Sequence, residues 1–223
     1  MRDNSTKHTL QNVWEVPEVV INIVSYSMVE QVSLASCDFP KGTNEFVKAG
    51  LTEIASQKVK PPRVAESPVS FECKVNQVIP LGHEGGAGNL VICEVVLMHI
   101  SDNVLNSAGF IDPNKLDAVA RMGQDYYCRA SGDNIFEVPK PNTNIGIGID
   151  QIPDNIKNSS VLTGNDLGRL GNIEKLPDEQ AIKLFQSAGF WKDASKNGEV
   201  EIHRLAKKYL SEGKVEEAWK VLL

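Results

Sequence analysis

Five residues near the amino terminus have types and spacing suited to holding an anion: Arg2, Lys7, His8, Thr9 and Asn12. Lys7 and Thr9 fall at the start of a predicted helix, Lys7 to Glu15, whose Leu10, Val13 and Trp14 share one face. Unpaired first-turn amides and the positive end of the helix dipole gather at such a start. A lysine charge and a hydroxyl donor added there make a modest phosphate site. A plain solvated surface is the alternative, because basic residues also begin many helices that only face solvent.

A second candidate is the glycine-rich stretch Gly82-His83-Glu84-Gly85-Gly86-Ala87-Gly88. It fails as a dinucleotide loop because a strand follows it, so no helix start faces a pyrophosphate. Gly164, Gly168 and Gly171 fail in the same way. Both stretches read as flexible connectors, with close backbone approach to a ligand as the alternative for the first. No Ser-His-Asp arrangement, HExxH helix or P-loop is visible, so no catalytic side chain is assigned. Cys37, Cys73, Cys93 and Cys128 form no CxxC pair and stand at no zinc-finger spacing to a histidine, so no metal ligands are assigned. They read as reduced structural thiols of a cytoplasmic protein.

The elements that must position these residues follow from pattern and breakers. Pro17 stops the first helix, and Val19 to Val24 is a β-branched buried strand. A short helix is predicted over Met28 to Ser36, and Asn44 to Ala49 is a helical turn ended by Gly50. Val69 to Leu81 and Asn89 to Ile100 form a long hairpin closed by the glycine-rich stretch. The second run is apolar on both faces, which suits a barrel wall covered by a neighbour. Asp112 and Pro113 start a helix expected to run to about Met122. Pro139, Pro141, Gly146, Gly148 and Pro153 break regular structure, so 138–176 reads as an irregular linker. Beyond it, Pro177 to Ala188 is a helix, and Val200 to Glu212 and Val215 to Leu223 form a helical hairpin about Gly213. Trp191 and Trp219 read as packing residues of that tail.

The 223 residues carry 23 Lys and Arg against 29 Asp and Glu, a net charge of −6, with 41% hydrophobic and 23% charged residues. That balance permits a substantial core and argues against binding a nucleic-acid backbone. No apolar run reaches the ~20 residues of a membrane helix, and the start lacks the apolar core of a secretory signal.

Several ordered segments resemble the flavin reductase-like family. Lys7-His8-Thr9-Leu10-Gln11-Asn12 before Val19-Val20-Ile21-Asn22-Ile23-Val24 is similar to its K-D-T-x-x-N-I…FVINIV signature. Asn44 to Thr52 resembles its K/E-F-x-x-A-G-L-T motif, and Pro61 to Pro68 its x-P-R-V-x-E-S-P stretch. Phe71 to Lys74 and Gly88 to Val95 continue the barrel pattern. Arg121-Met122-Gly123 with Tyr126 and Arg129 is similar to its R-x-G-x-x-Y-x-R end.

The resemblance implies an α+β fold that is mainly β: an FMN-binding split β-barrel with peripheral helices and, here, a C-terminal helical extension. It implies a homodimer with FMN at the interface, and electrons passing from NADH or NADPH through FMN to an acceptor or a partner oxygenase. Carried over by position, Lys7, Thr9 and Asn12 fall where the family holds the FMN phosphate. Ser36 and Lys41 fall on a second loop near the flavin or its phosphate, Gly88 and Asn89 beside the ring or ribityl chain, and Tyr126 near the ring. His8 stands where the family commonly has an acidic residue. The family's opening R-P-x-A-W/L-V-S-T strand and G-x-x-N-x-S/A-P-F-S-F-F-N segment have no counterpart here. The expected domain, 1–137, therefore lacks its first strands, with the helical extension over 177–223. A non-enzymatic dimeric scaffold that has lost flavin is the alternative.

Overall fold

The computed structural model describes residues 7–84, 86–140, 145–187 and 189–223, and Arg2 and Gly85 lie outside them. The chain divides into two compact units, 1–137 and 138–223. The first runs α1 (His8–Glu15), β1 (Glu18–Asn22), α2 (Val29–Ala35), α3 (Glu45–Ala49), β2 (Glu53–Ile54), β3 (Arg63–Val64), β4 (Val69–Pro80), β5 (Asn89–Ile100), α4 (Pro113–Leu116), β6 (Val119–Gly123) and β7 (Tyr126–Arg129).

Its centre is a three-stranded antiparallel sheet in the order β1-β4-β5. Val19 faces Cys73 and Ile21 faces Phe71, which fixes β1 against the start of β4. The β4–β5 pairing runs from Val69 opposite Ile100 to Pro80 opposite Asn89, with bulges at Glu72/Cys73 and Val75/Gln77. Those bulges twist the hairpin and re-aim side chains between the strands. Val75 N–H still donates to the Pro17 carbonyl at 2.9 Å, and beyond it the hairpin has outrun β1. The ribbon β2–β3 flanks the sheet through Val64 N–H, which donates to Asn22 Oδ1 at 3.1 Å. The ribbon β6–β7 joins the chain just after β1, where Val119 N–H donates to the Val24 carbonyl at 3.2 Å.

The helix expected from Asp112 to about Met122 ends at Leu116. Asp117 turns to φ +48° as its C-cap, and its carboxylate receives both Arg129 Nε–H and an Arg129 terminal N–H at 2.7 Å. Held that way, Val119 onward finds strand partners in β7 instead of another helical turn. The first helix also differs at its start. Lys7, expected inside the helix, is its N-cap and makes no side-chain capping bond.

The second unit is helical: α5 (Asp154–Lys157), α6 (Gly164–Gly171), α7 (Glu179–Gln186), α8 (Gly189–Lys196), α9 (Glu199–Ser211) and α10 (Val215–Leu222). The stretch 138–176, expected to be irregular, contains α5 and α6 and supplies Ile152, Ile156, Leu162 and Leu170 to the core. A reciprocal Thr163–Asp166 capping box starts α6 despite its three glycines. The Trp219 indole is fully buried and donates to the Leu170 carbonyl at 3.0 Å. Trp191 donates to the Val221 carbonyl at 3.2 Å, so both tryptophans of the tail pack and bond internally. Among the described residues no helix is long and apolar enough to cross a membrane.

Candidate functional site

The amino-terminal cluster sits on a real helix start. The Lys7 carbonyl accepts from the Leu10 amide at 3.0 Å and the Gln11 amide at 3.3 Å, which closes the first turn of α1. Thr9 and Asn12 are exposed, three residues apart and so on one face of the helix. The Lys7 ammonium pairs with the Asp38 carboxylate, thirty-one residues on, with both side chains largely in solvent. This pair ties the start of α1 to the loop that follows α2. Ser36 caps α2 and its hydroxyl donates to the Ser33 carbonyl at 2.7 Å. Lys41 is exposed beside Gly42, whose φ of +88° turns the loop back toward α3.

Lys7, Thr9, Asn12, Ser36 and Lys41 thus occupy two segments joined by one ion pair. Gly88, Asn89 and Tyr126 are elsewhere. Gly88 closes the tip of the β4–β5 hairpin, its carbonyl accepting from Leu81 N–H at 2.9 Å, and Asn89 pairs with Pro80. Tyr126 is exposed at the turn between β6 and β7. Among the described residues no hydrogen bond or ion pair connects these three to Lys7, Thr9 or Asn12. Nor does any group of His, Cys, Asp and Glu among the described residues form a metal-binding cluster. The four cysteines are free thiols, and burial pushes the Cys73 and Cys93 thiols up, further from the reactive thiolate.

A buried carboxylate was missed by sequence reasoning. Glu72 is fully buried in β4. It accepts from Gln57 N–H at 2.9 and 3.1 Å, from Lys58 N–H at 2.6 Å and from His99 Nε2 at 2.6 Å. Burial alone pushes its carboxyl up, but the two amides and His99 outweigh that and bring it down to about 2. Arg63 Nε lies 3.9 Å from the same carboxylate. The only hint in the sequence was a charged residue within the apolar alternation Phe71, Cys73, Val75.

In the second unit Ser159 and buried His203 form a pair that superficially suggests a nucleophile and base. Ser159 Oγ accepts from Val161 N–H at 3.1 Å and Leu162 N–H at 3.2 Å, leaving its O–H for His203 Nδ1 at 2.7 Å. Burial pushes the His203 pKa down and favours the neutral ring. The hydroxyl is a loop clamp.

The Flavin reductase like domain matches residues 4–115, half of the sequence. The chain belongs to the flavin reductase like family. A protein of Aquifex aeolicus is 35% identical over 131 residues, 59% of this chain and 65% of its own length. The chain therefore spans under two thirds of that curated relative. Nitrilotriacetate monooxygenase component B of Bacillus cereus aligns over 61% of this chain and 68% of its own, at 28% identity and a TM-score of 0.56. A split barrel domain protein of Shewanella frigidimarina aligns over 60% and 65%, at 31% identity and a TM-score of 0.51. The fold is accordingly the α+β split barrel of flavin reductase-like proteins, a family of flavin-binding, reductase-type chains.

Proposed function

We propose that residues 1–137 form a domain that binds FMN by its phosphate at the start of α1 and serves a flavin reductase-type oxidoreductase. The observation that carries this reading is the Lys7–Asp38 pair, which gathers the two segments expected to hold the phosphate. The donor set fits a phosphate: an ammonium, a hydroxyl and first-turn amides at a helix start. Lys7 supplies the charge, Thr9 a hydroxyl donor and Asn12 an amide one turn along. Ser36 and Lys41 approach from the second loop, and Gly88, Asn89 and Tyr126 are assigned to the ribityl chain and ring. Bound flavin supplies two-electron chemistry that no side chain here could, with NADH or NADPH as donor and an oxygenase or another acceptor downstream. Two copies of the chain would enclose the flavin between them, in the cytoplasm. The helical extension of that domain takes in the whole second unit, 138–223, rather than 177–223 alone.

Asp38 opposes as well as assembles. Its carboxylate neutralises Lys7 and would repel a phosphate, so binding requires Lys7 to exchange partners. That same contact supports the second reading, a scaffold that no longer takes flavin.

Flavin titration followed by fluorescence quenching separates the two. FMN is expected to bind about tenfold tighter than riboflavin, ~1.4 kcal/mol for the phosphate. A Lys7→Ala, Thr9→Ala double variant is expected to erase that preference, and Asp38→Asn to strengthen FMN binding. Equal affinity for FMN and riboflavin removes the phosphate assignment. Flavin binding without oxidation of either nicotinamide removes the reductase.

A further inference from the structure

Arg63 is the odd residue of the first unit. Its Nε is buried and is the one such side-chain nitrogen or oxygen among the described residues without a hydrogen-bond partner. Among the described residues its one ion-pair contact is Glu72, at 3.9 Å, beyond hydrogen-bond range. Three other donors, the Gln57 and Lys58 amides and His99, already bond the Glu72 carboxylate, and Arg63 stands outside that set. Buried donors in folded proteins are almost always paired, so the guanidinium lacks an acceptor that the described residues do not supply.

Arg63 and His99 line a groove of about 450 Å³, whose other walls include Ala65, Pro68, Met98 and Ile100. That volume lies in the range of small-molecule sites. His99 is fixed there because its Nε2 bonds Glu72 at 2.6 Å, while among the described residues no group bonds its Nδ1. Three features define the complement. A guanidinium fork matches the two oxygens of a carboxylate. The buried negative charge of Glu72 behind it disfavours a dianion such as phosphate. Met98, Ile100 and Pro68 offer a little apolar surface to the remainder of the molecule, and Ser67, Ser70 and Ser101 make much of the rest of the lining polar.

We propose that this groove is a binding site for a small organic monocarboxylate, anchored by Arg63 and flanked by His99. None of Lys7, Thr9 or Asn12 lines it, so the site stands or falls apart from the flavin reading.

The test uses the full chain without added flavin and three probes: benzoate, neutral benzamide and inorganic phosphate. Isothermal titration is expected to show benzoate binding about tenfold or more tightly than benzamide, with phosphate weaker than benzoate. Arg63→Gln is expected to erase the preference for benzoate, and Lys7→Ala to retain it. Equal affinities for benzoate and benzamide, a benzoate preference that survives Arg63→Gln, or phosphate as the tighter ligand would each overturn the proposal. Should Arg63→Gln not fold, the wild-type His99 ring resonance decides: it must move with benzoate and stay still with benzamide. A His99 signal indifferent to both ends the assignment.

Discussion

The two units bury their apolar residues in opposite ways. In 138–223, Trp219, Leu170, Leu210, Ile152 and Ile156 are all essentially inaccessible and belong to one cluster. In 1–137, the outer strand β5 leaves Leu90, Ile92, Val95 and Met98 exposed by 39 to 50%. On the adjacent strand a carboxylate, Glu72, is as fully buried as the neighbouring thiol of Cys73. The helical unit closes on itself through hydrophobic packing. The sheet unit buries Val13, Met28, Val69 and Val104 together with that carboxylate, and leaves apolar surface of β5 outward, as a domain does when a cofactor, a ligand or a second copy completes it.

The strongest way to break that contrast is Trp219→Ala. The indole fills the centre of the helical core and bonds Leu170, so its loss leaves a cavity and an unpaired carbonyl. We expect a loss of about 3–5 kcal/mol in chemical denaturation. Hydrogen exchange should accelerate through α9 and α10 and stay unchanged in β1 and β4. Equal acceleration in β4 would mean that the two units share their stability, contrary to the comparison.

Glu72→Gln probes the other kind of interior. The variant keeps the size but weakens four charge-assisted bonds, and we expect a loss of about 2–3 kcal/mol at neutral pH. The pH dependence has a definite sign. The folded carboxyl is depressed from 4.5 to about 2, so its contribution is complete above pH 4.5 and is lost as pH falls through that interval. Wild type should therefore lose stability relative to Glu72→Gln between about pH 4.5 and 2. Parallel pH profiles would show that the Glu72 carboxylate is not held by its partners.

Legibility followed the same divide. Local rules found α1, the stop of α3, both strands of the long hairpin and α7, α9 and α10 of the tail, but neither the Asn44 cap nor α8. Those found depend on nearby residues: Pro17 after α1, Gly50 after α3, alternation along β4. The helix expected from Asp112 failed because Arg129, twelve residues on, holds Asp117 in a left-handed turn. α6 was hidden because its glycines argue against helix, and only the Thr163–Asp166 box and burial of Leu170 overrule them. At the candidate site, the family motif picked Lys7 and the loop near Ser36, but their junction runs through Asp38, which no spacing foretold. Arg63 and Glu72 sit nine residues apart in sequence, yet their relation to His99 exists only once β4 and β5 pair.

The mildest test puts one kind of substitution into both units. Asn44 caps α3, accepting from Phe46 N–H at 2.9 Å and Val47 N–H at 3.3 Å, and its own amide donates to Glu53 at 2.8 Å. Asp178 caps α7 by accepting from Ala181 N–H at 2.8 Å. Removing either cap should cost about 1 kcal/mol. Their local consequences should differ. α3 is five residues long, too short to hold itself, and its Val47 is exposed, so Asn44→Ala should deprotect the whole turn up to Gly50. α7 is longer and pinned by Phe185 against Tyr209 and by Gln186 to the Lys220 carbonyl, so Asp178→Ala should deprotect only its first turn. Asn44→Asp sharpens the point: it restores the cap but sets a second carboxylate against Glu53, and should recover only part of the loss. Amide exchange at Phe46, Val47 and Ala181 reads all three variants. Whole-helix loss in α7 would show that its packing does not hold it, and would narrow the difference between the two interiors.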